Sequence, residues 1–248
     1  MLLGLIVGSF LNVCICRIPL GASVAFPPSQ CPSCGARLRP IDLVPVLSWI
    51  ALRGRCRYCQ CRISAKYPLV ELLTACGYAL IYDKVGGYSV TLAASLLLFS
   101  TLVVVSFIDF QTSRIPDVVT YPMALVAIGL SALPGGIGLR EALVGVAVGG
   151  GSLLVVSVIT RGAGMGLGDV KLMAVVGAFL GWRGALYSIF LGCLFGGIIG
   201  LILMALKVVQ RWQPIPFGPF LALGTCAAWA MIVSESRLLP YVLFRRPY

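Results

Sequence analysis

Four acids stand where apolar runs begin or end: Glu71, Asp109, Asp117 and Asp169. The chain has no histidine, which removes every imidazole-based scheme, including a Ser-His-Asp triad, a Cys-His pair and a His-ligated metal. Carboxylates, thiols, hydroxyls and lysine remain. Asp109 lies in "FIDFQTSRIPD" (107–117), Asp117 opens the following run, and Asp169 ends "GMGLGD" (164–169). An aspartate at the centre of a spanning helix costs roughly 2.5–3.5 kcal/mol on insertion scales, so a boundary acid invites a functional reading. Two neighbouring carboxylates cannot both ionise cheaply. One keeps its proton and can polarise a carbonyl, while its charged partner draws a proton from water. That is the chemistry of aspartic proteases. Gly166 and Gly168 would let backbone approach Asp169 where any Cβ would clash. The competing reading is that the acids pair with Arg114, Arg161 or Lys171 and cap helices.

A second reactive set is sulfur. Four of ten cysteines stand as Cys31-Pro-Ser-Cys34 and Cys56-Arg-Tyr-Cys59. A two-residue spacer lets both thiolates of a knuckle face one ion, so the pair suits tetrahedral Zn²⁺ with Zn–S of about 2.3 Å. Cys61 is a spare that could substitute for Cys59. Paired disulfides are the alternative, disfavoured in a reducing compartment. Cys14, Cys16, Cys76, Cys193 and Cys226 sit in apolar runs and read as small packing residues.

The elements that must position these groups are membrane helices. The chain of 248 residues is 59% hydrophobic and 11% charged, with a mean hydropathy of +1.01, outside the range of soluble globular domains. The expected fold is an all-α polytopic membrane protein of about eight transmembrane helices, at 1–16, 67–82, 88–108, 118–135, 142–160, 172–182, 184–206 and 216–234. The sixth is short for a span. Nothing resembles a cleavable signal peptide, so 1–16 reads as a retained first helix. Residues 17–66 form a basic, proline-rich cysteine domain between helices one and two, and 67–248 form the remaining bundle. Gly145, Gly149, Gly192, Gly196 and Gly200 read as faces for close helix packing. The net charge of +11 suggests basic cytoplasmic loops rather than nucleic-acid binding. With 17–66 inside, alternation gives the inner loops 13 of the 19 basic residues and puts Asp109, Asp117 and Asp169 on the inner side.

In order along nearly the whole chain, "GSFLNVCICRIP", "CPSCGARL", "PVLSWIALRGRCRYC", "YPLVELLTA", "FIDFQTSRIPD", "GMGLGDVKLMA" and "PIPFGPFLA" resemble the successive blocks of bacterial prepilin peptidases, also called type IV leader peptidases. The resemblance implies an integral inner-membrane aspartic peptidase that cuts the short basic leader of type IV prepilins or pseudopilins after a glycine, on the cytoplasmic side. It assigns Asp109 and Asp169 as catalytic, gives Asp117 a supporting role, and makes Cys31, Cys34, Cys56 and Cys59 a zinc site. It also implies N-methylation of the new N-terminus with S-adenosylmethionine, an activity associated with the family's N-terminal portion, which this chain retains. No glycine-rich methyltransferase fingerprint supports that independently. Glu71 would meet the basic leader or pair with Arg62 or Lys66, and Phe217 to Phe220 would start the last helix or present an edge to the substrate. The rival from another class is a cation- or proton-coupled transporter using the boundary aspartates; a zinc-stabilised scaffold without chemistry is a third reading.

Overall fold

A computed structural model describes residues 1–162, 165–208 and 216–243, with side chains as far as Ser234 in the last segment. Gly164 and Pro214, noted above, lie outside the described residues. The fold is all-helical, as expected, and divides into two units, Met1–Tyr82 and Asp83–Tyr248.

The first unit is built on two helices. Helix α1 (Leu2–Arg17) presents Gly4 and Gly8 to a later helix, α3, so closely that an added Cβ would meet Ala75 Cα at 2.6 Å and Glu71 Cα at 2.8 Å. Between them runs the cysteine segment, which holds the short α2 (Leu47–Ala51) and two single-turn 3-10 helices, Ile18–Leu20 and Pro40–Leu43. Helix α3 (Lys66–Val85) buries Val70, Thr74, Ala75 and Ile81. Few large apolar side chains are buried in the segment between, and polar ties fix it instead. Asp42 accepts from Arg57 Nε at 2.7 Å and from the Arg39 N–H at 3.1 Å, and Trp49 Nε1 donates to Ile63 O at 3.2 Å.

The second unit is a bundle of longer helices. Helix α4 (Val90–Thr112) starts on a Ser89 cap whose hydroxyl accepts from the Leu92 N–H, and ends where Ser113 takes a left-handed conformation. Pro116 then starts α5 (Asp117–Ser131), followed by α6 (Leu139–Ile159), α7 (Leu167–Ala205) and α8 (Gly218–Leu243). The core lies among them, with Leu102, Val105, Leu153, Leu172, Val176 and Leu221 buried.

Helix α7 holds the two runs expected at 172–182 and 184–206 as two helical limbs within Leu167–Ala205, joined at Gly181, where φ is 71° and ψ is −179°. A straight helix would separate Met173 from Ala185 by about 18 Å. Yet a Cβ on Gly149 would touch both Met173 O, at 2.4 Å, and Ala185 Cβ, at 3.1 Å. The helix therefore turns back on itself at Gly181, a φ that disfavours any residue with a Cβ. Helix α6 packs into the wedge between the limbs, where Gly145 and Gly149 face the first limb. Gly192 and Gly196 meet Leu221 and Phe220 of α8 and Phe217 just before it, whereas Gly200, expected on the same face, has nothing within 4 Å.

Among the described residues, four helices are long and apolar enough to cross a membrane: Leu2–Leu20, Val90–Thr112, Leu139–Ile159 and Leu167–Ala205. Asp117–Ser131 and Gly218–Ser234 are shorter apolar helices. Helix α3 has the length of a span but carries Lys66, Glu71, Asp83 and Lys84. Large apolar side chains stay uncovered along these helices, among them Val158 at 69% and Leu201 at 65% exposed, which suits lipid and not water.

Candidate active site and thiol centre

Three helix ends meet at one end of the second unit. Asp109 sits on the last turn of α4, Asp117 opens α5, and Asp169 lies in the first turn of α7. Ile115, in the α4–α5 connection, packs on Gly168: a Cβ there would meet Ile115 Cβ at 3.0 Å. This contact ties the "IPD" and "GLGD" segments together and leaves the Asp109 and Asp169 carboxylates close enough to interact electrostatically.

The two acids differ in setting. Asp109 is buried, 6% exposed, and its Oδ2 accepts the Gly218 N–H at 2.9 Å. That donor is one of the unpaired N–H groups at the start of α8, where the helix dipole also favours negative charge. Gly218 is required sterically, since a Cβ would stand 2.7 Å from Asp109 Oδ2. Asp169 is half-buried, and its carboxylate accepts from the Gly166 N–H, the arrangement of an acid at the third helical position reaching back to the N-cap. Asp169 thus caps α7 and faces Asp109 at once, so the cap and the pair are not alternatives.

Lys171, one of the basic residues that the capping reading would pair with these acids, bonds to Asp117 instead. Lys171 Nζ lies 2.6 Å from Asp117 Oδ1 and 5.4 Å from the Tyr121 ring centroid. Asp117 is exposed and supports the site through this ion pair on its rim. Phe110 at 73% and Leu167 at 61% exposure flank the acids with apolar surface. The hydrogen bond from Gly218 is the feature that sequence reasoning missed. Its signal was a glycine wedged between Phe217 and Pro219 at a helix start, and only packing could show which acid it serves.

Glu71, the fourth acid, belongs to the first unit. It is 7% exposed, and its Oε2 accepts the Val46 N–H at 2.7 Å. Val46 has φ 63°, strained for a β-branched residue, and the carboxylate holds that turn from beneath. The expectation of a partner in Arg62 or Lys66 did not include this main-chain contact, which no side-chain pattern signals.

The thiols form two matching knuckles, 25 residues apart. In each, the first cysteine accepts from an N–H four residues on (Gly35 to Cys31 O, 2.9 Å; Gln60 to Cys56 O, 3.0 Å) and donates five residues on (to Ala36 O and Cys61 O, both 2.9 Å). Gly35 and Gln60 take the same left-handed conformation. Cys31, Cys56, Cys59 and Cys61 bring their sulfurs within 4.8 Å of one another. Cys61 therefore joins the expected set, in the position that Ala36 holds in the first knuckle. Cys34, expected in that set and absent from this tightest group, is exposed at the knuckle tip, its thiol in hydrogen-bond contact with Cys31 and Cys59. The Cys34 and Ser33 N–H groups point at Cys31 sulfur and bring its pKa down to about 6. Against a hydrogen bond from Ser33, the neighbouring Cys59 and Cys31 push Cys61 up to about 11. Such crowded thiols deprotonate together when a cation sits among them.

A profile of the bacterial peptidase A24 N-terminal domain matches residues 2–85, and one of the type IV leader peptidase family matches 96–201. The prepilin leader peptidase/N-methyltransferase of Aeromonas hydrophila is 36% identical over 264 residues, covering 94% of this chain and 88% of the relative. The protein of the same name from Stutzerimonas stutzeri is 34% identical, covering 99% and 93%, and that of Pseudomonas aeruginosa is 37% identical, covering 94% and 88%. No solved structure matches the chain significantly.

Proposed function

The chain belongs to the type IV leader peptidase family, and from that premise we propose that Asp109 and Asp169 are its catalytic pair. It is a membrane aspartic endopeptidase that removes the leader from prepilins and methylates the N-terminus so exposed. The observation that carries the catalytic assignment is the approach of two carboxylates from the ends of α4 and α7, with Gly218 N–H fixing one oxygen of Asp109.

The pair holds one proton between its two carboxyl groups. The ionised acid takes a proton from water, the resulting hydroxide attacks the scissile carbonyl carbon, and the protonated acid donates to the carbonyl oxygen. Collapse of the tetrahedral species breaks the C–N bond and returns a proton to the leaving amine. Gly218 N–H holds Oδ2 of Asp109 and Gly166 N–H holds the Asp169 carboxylate, which fixes both acids in place. Phe110 and Leu167 offer apolar surface to a substrate whose cleavage site adjoins an apolar helix.

The thiol group takes Zn²⁺, since soft sulfur donors in fours suit that ion in a closed structural site. Cys31, Cys56 and Cys59 hold three positions, and Cys34 and Cys61 share the fourth. When bound, S-adenosylmethionine supplies a methyl group to the amine nitrogen, which gives up a proton as S-adenosylhomocysteine leaves. In this reading the chain crosses the inner membrane eight times, counting each limb of α7, with the aspartates and the zinc domain on the cytoplasmic side. The transporter reading draws no support from the three relatives described above, each named as a prepilin leader peptidase/N-methyltransferase.

Co-expression with a type IV prepilin tests this. The wild type should produce the mobility shift of leader loss, and Asp109→Asn and Asp169→Asn should each abolish it. Processing that survives both substitutions removes the pair from the mechanism.

A further inference from the structure

The hydroxyls buried in the second unit behave in two ways. Ser95, Thr101, Ser188 and Thr225 turn back on the carbonyl four residues earlier in their own helix, which is how a helical hydroxyl ordinarily satisfies itself. Ser157 does not. It lies in the last turn of α6, is 6% exposed, and reaches out of its helix to donate to Met165 O at 3.1 Å. Its own carbonyl accepts the Gly162 N–H at 2.7 Å, so the residue is held through main chain and side chain alike.

The carbonyl that Ser157 holds belongs to the peptide joining Met165 to Gly166. The other edge of that peptide is the Gly166 N–H, the donor that the Asp169 carboxylate accepts. A trans peptide is planar, with its C=O and N–H on opposite sides, so fixing where the oxygen points also fixes where the hydrogen points. Ser157 and Asp169 thus grip one rigid plate from its two edges. Two hydrogen bonds in line through one peptide also polarise each other, which strengthens the donor presented to Asp169.

Nothing local would keep that plate in place. Gly166 has no Cβ and takes φ of either sign, so the peptide before it can turn over at little steric cost. The glycine that lets Asp169 fold back on the main chain therefore makes an outside tether necessary. Helix α6 is a firm post for one, since Gly145 and Gly149 seat it against the first limb of α7, and Met165 packs by its side chain on the bundle core.

We propose that Ser157 is a positioning residue for the aspartate pair: its hydroxyl sets the plane of the Met165–Gly166 peptide, and that plane aims the Gly166 N–H at Asp169. The inference rests on the catalytic assignment of Asp109 and Asp169. It adds α6, which supplies neither acid, to the elements that set the site.

The test uses the full-length protein in nanodiscs with a purified type IV prepilin as substrate. Threonine and valine share a shape and differ by a hydroxyl, so comparing Ser157→Thr with Ser157→Val isolates the hydrogen bond from any effect of bulk. Ser157→Val should cleave with kcat roughly tenfold below Ser157→Thr and with KM within about twofold, because a reacting group is misaimed while the substrate's surface is untouched. Ser157→Ala should behave as Ser157→Val does, and it replaces that variant in the comparison if valine does not fold. Ser188→Ala removes a buried hydroxyl that serves only its own helix, and its kcat should match the wild type. Equal kcat in Ser157→Thr and Ser157→Val overturns the proposal. So does a deficit that Ser188→Ala shares and that follows the melting temperature, since Ser157 would then be a packing residue. Asp169→Asn, measured in parallel, separates the two failures. If it abolishes cleavage while threonine and valine perform alike, only the role of Ser157 falls; if it still cleaves, the pair itself falls.

Discussion

In the first unit every sulfur of the centre comes from the stretch Cys31 to Cys61, held by main-chain hydrogen bonds inside two repeated knuckles. In the second, the two carboxylates come from helix ends sixty residues apart, held by Gly168 against Ile115 and by Gly218 against Asp109. The first arrangement is local and, with the zinc proposed above, would lean on an ion for stability, because so little apolar surface is buried in the segment between α1 and α3. The second is long-range and leans on packing. A local site survives changes elsewhere but fails with its metal; a packed site tolerates any solvent condition that keeps its helices together but fails with one added methyl group.

The sharpest way to break this contrast is to strip the metal. A structural zinc site supplies on the order of 10 kcal/mol, so chelation, or Cys56→Ser, should abolish hydrogen-exchange protection across residues 24–65 while 90–112 and 139–159 stay protected. Equal loss in both units would erase the distinction. The next largest effect is expected on cleavage, where Asp109→Asn and Asp169→Asn should each lower the rate by on the order of 10³-fold or more with zinc content unchanged. Gly218→Ala comes third. Its Cβ would press on Asp109 Oδ2, and cleavage should fall roughly 10–100-fold, by misplacing a reacting group, with KM little altered.

Two smaller effects sharpen the picture. Cys34→Ser and Cys61→Ser alone should each keep about one zinc per chain and the double variant should lose it, as metal analysis would register; loss in either single variant would end the idea of a shared fourth place. Cys31, with its pKa lowered to about 6, is a thiolate at neutral pH in the metal-free chain and protonates as pH falls through that value, so zinc affinity should drop on acidification below about 6. Cys61, pushed to about 11, should release a proton on metal uptake, seen as a buffer-dependent heat of binding. The smallest change belongs to Lys171→Ala. A partly exposed ion pair contributes about 0.2–1 kcal/mol, so cleavage should fall only a few-fold.

The knuckles were legible in the two-residue spacing between thiols, and Asp109 and Asp169 as acids at the edges of apolar runs, while their reading as a pair leaned on the family resemblance more than on spacing. The alternation of inner and outer loops also put the three aspartates at one end, where the second unit has them. What stayed hidden were contacts between distant backbones. Nothing in the pattern around Val46 reveals that Glu71 holds its N–H, and the glycine of "FGPF" does not name the acid it serves. The extra thiol was visible as Cys61, but its equivalence to Ala36 emerged only from the paired hydrogen bonds of the two knuckles. The run at 172–182 looked short for a span, and eleven residues do make about 16 Å of helix; the reversal at Gly181 explains it, since a single backbone angle in one glycine is beneath the resolution of hydropathy.

That reversal governs the polarity of everything after it. A helix leaving Asp169 would, if continued straight, deliver the chain to the far side, and α8 would begin there with its free N–H groups pointing away from the acids. Folding back sends the chain home, so that α8 begins beside Asp109 with Gly218 N–H toward the carboxylate. The left-handed residue at the distal turn is in that sense part of the proposed active site's wiring: it sets the parity of the remaining path, and parity decides which end of α8 the aspartate sees.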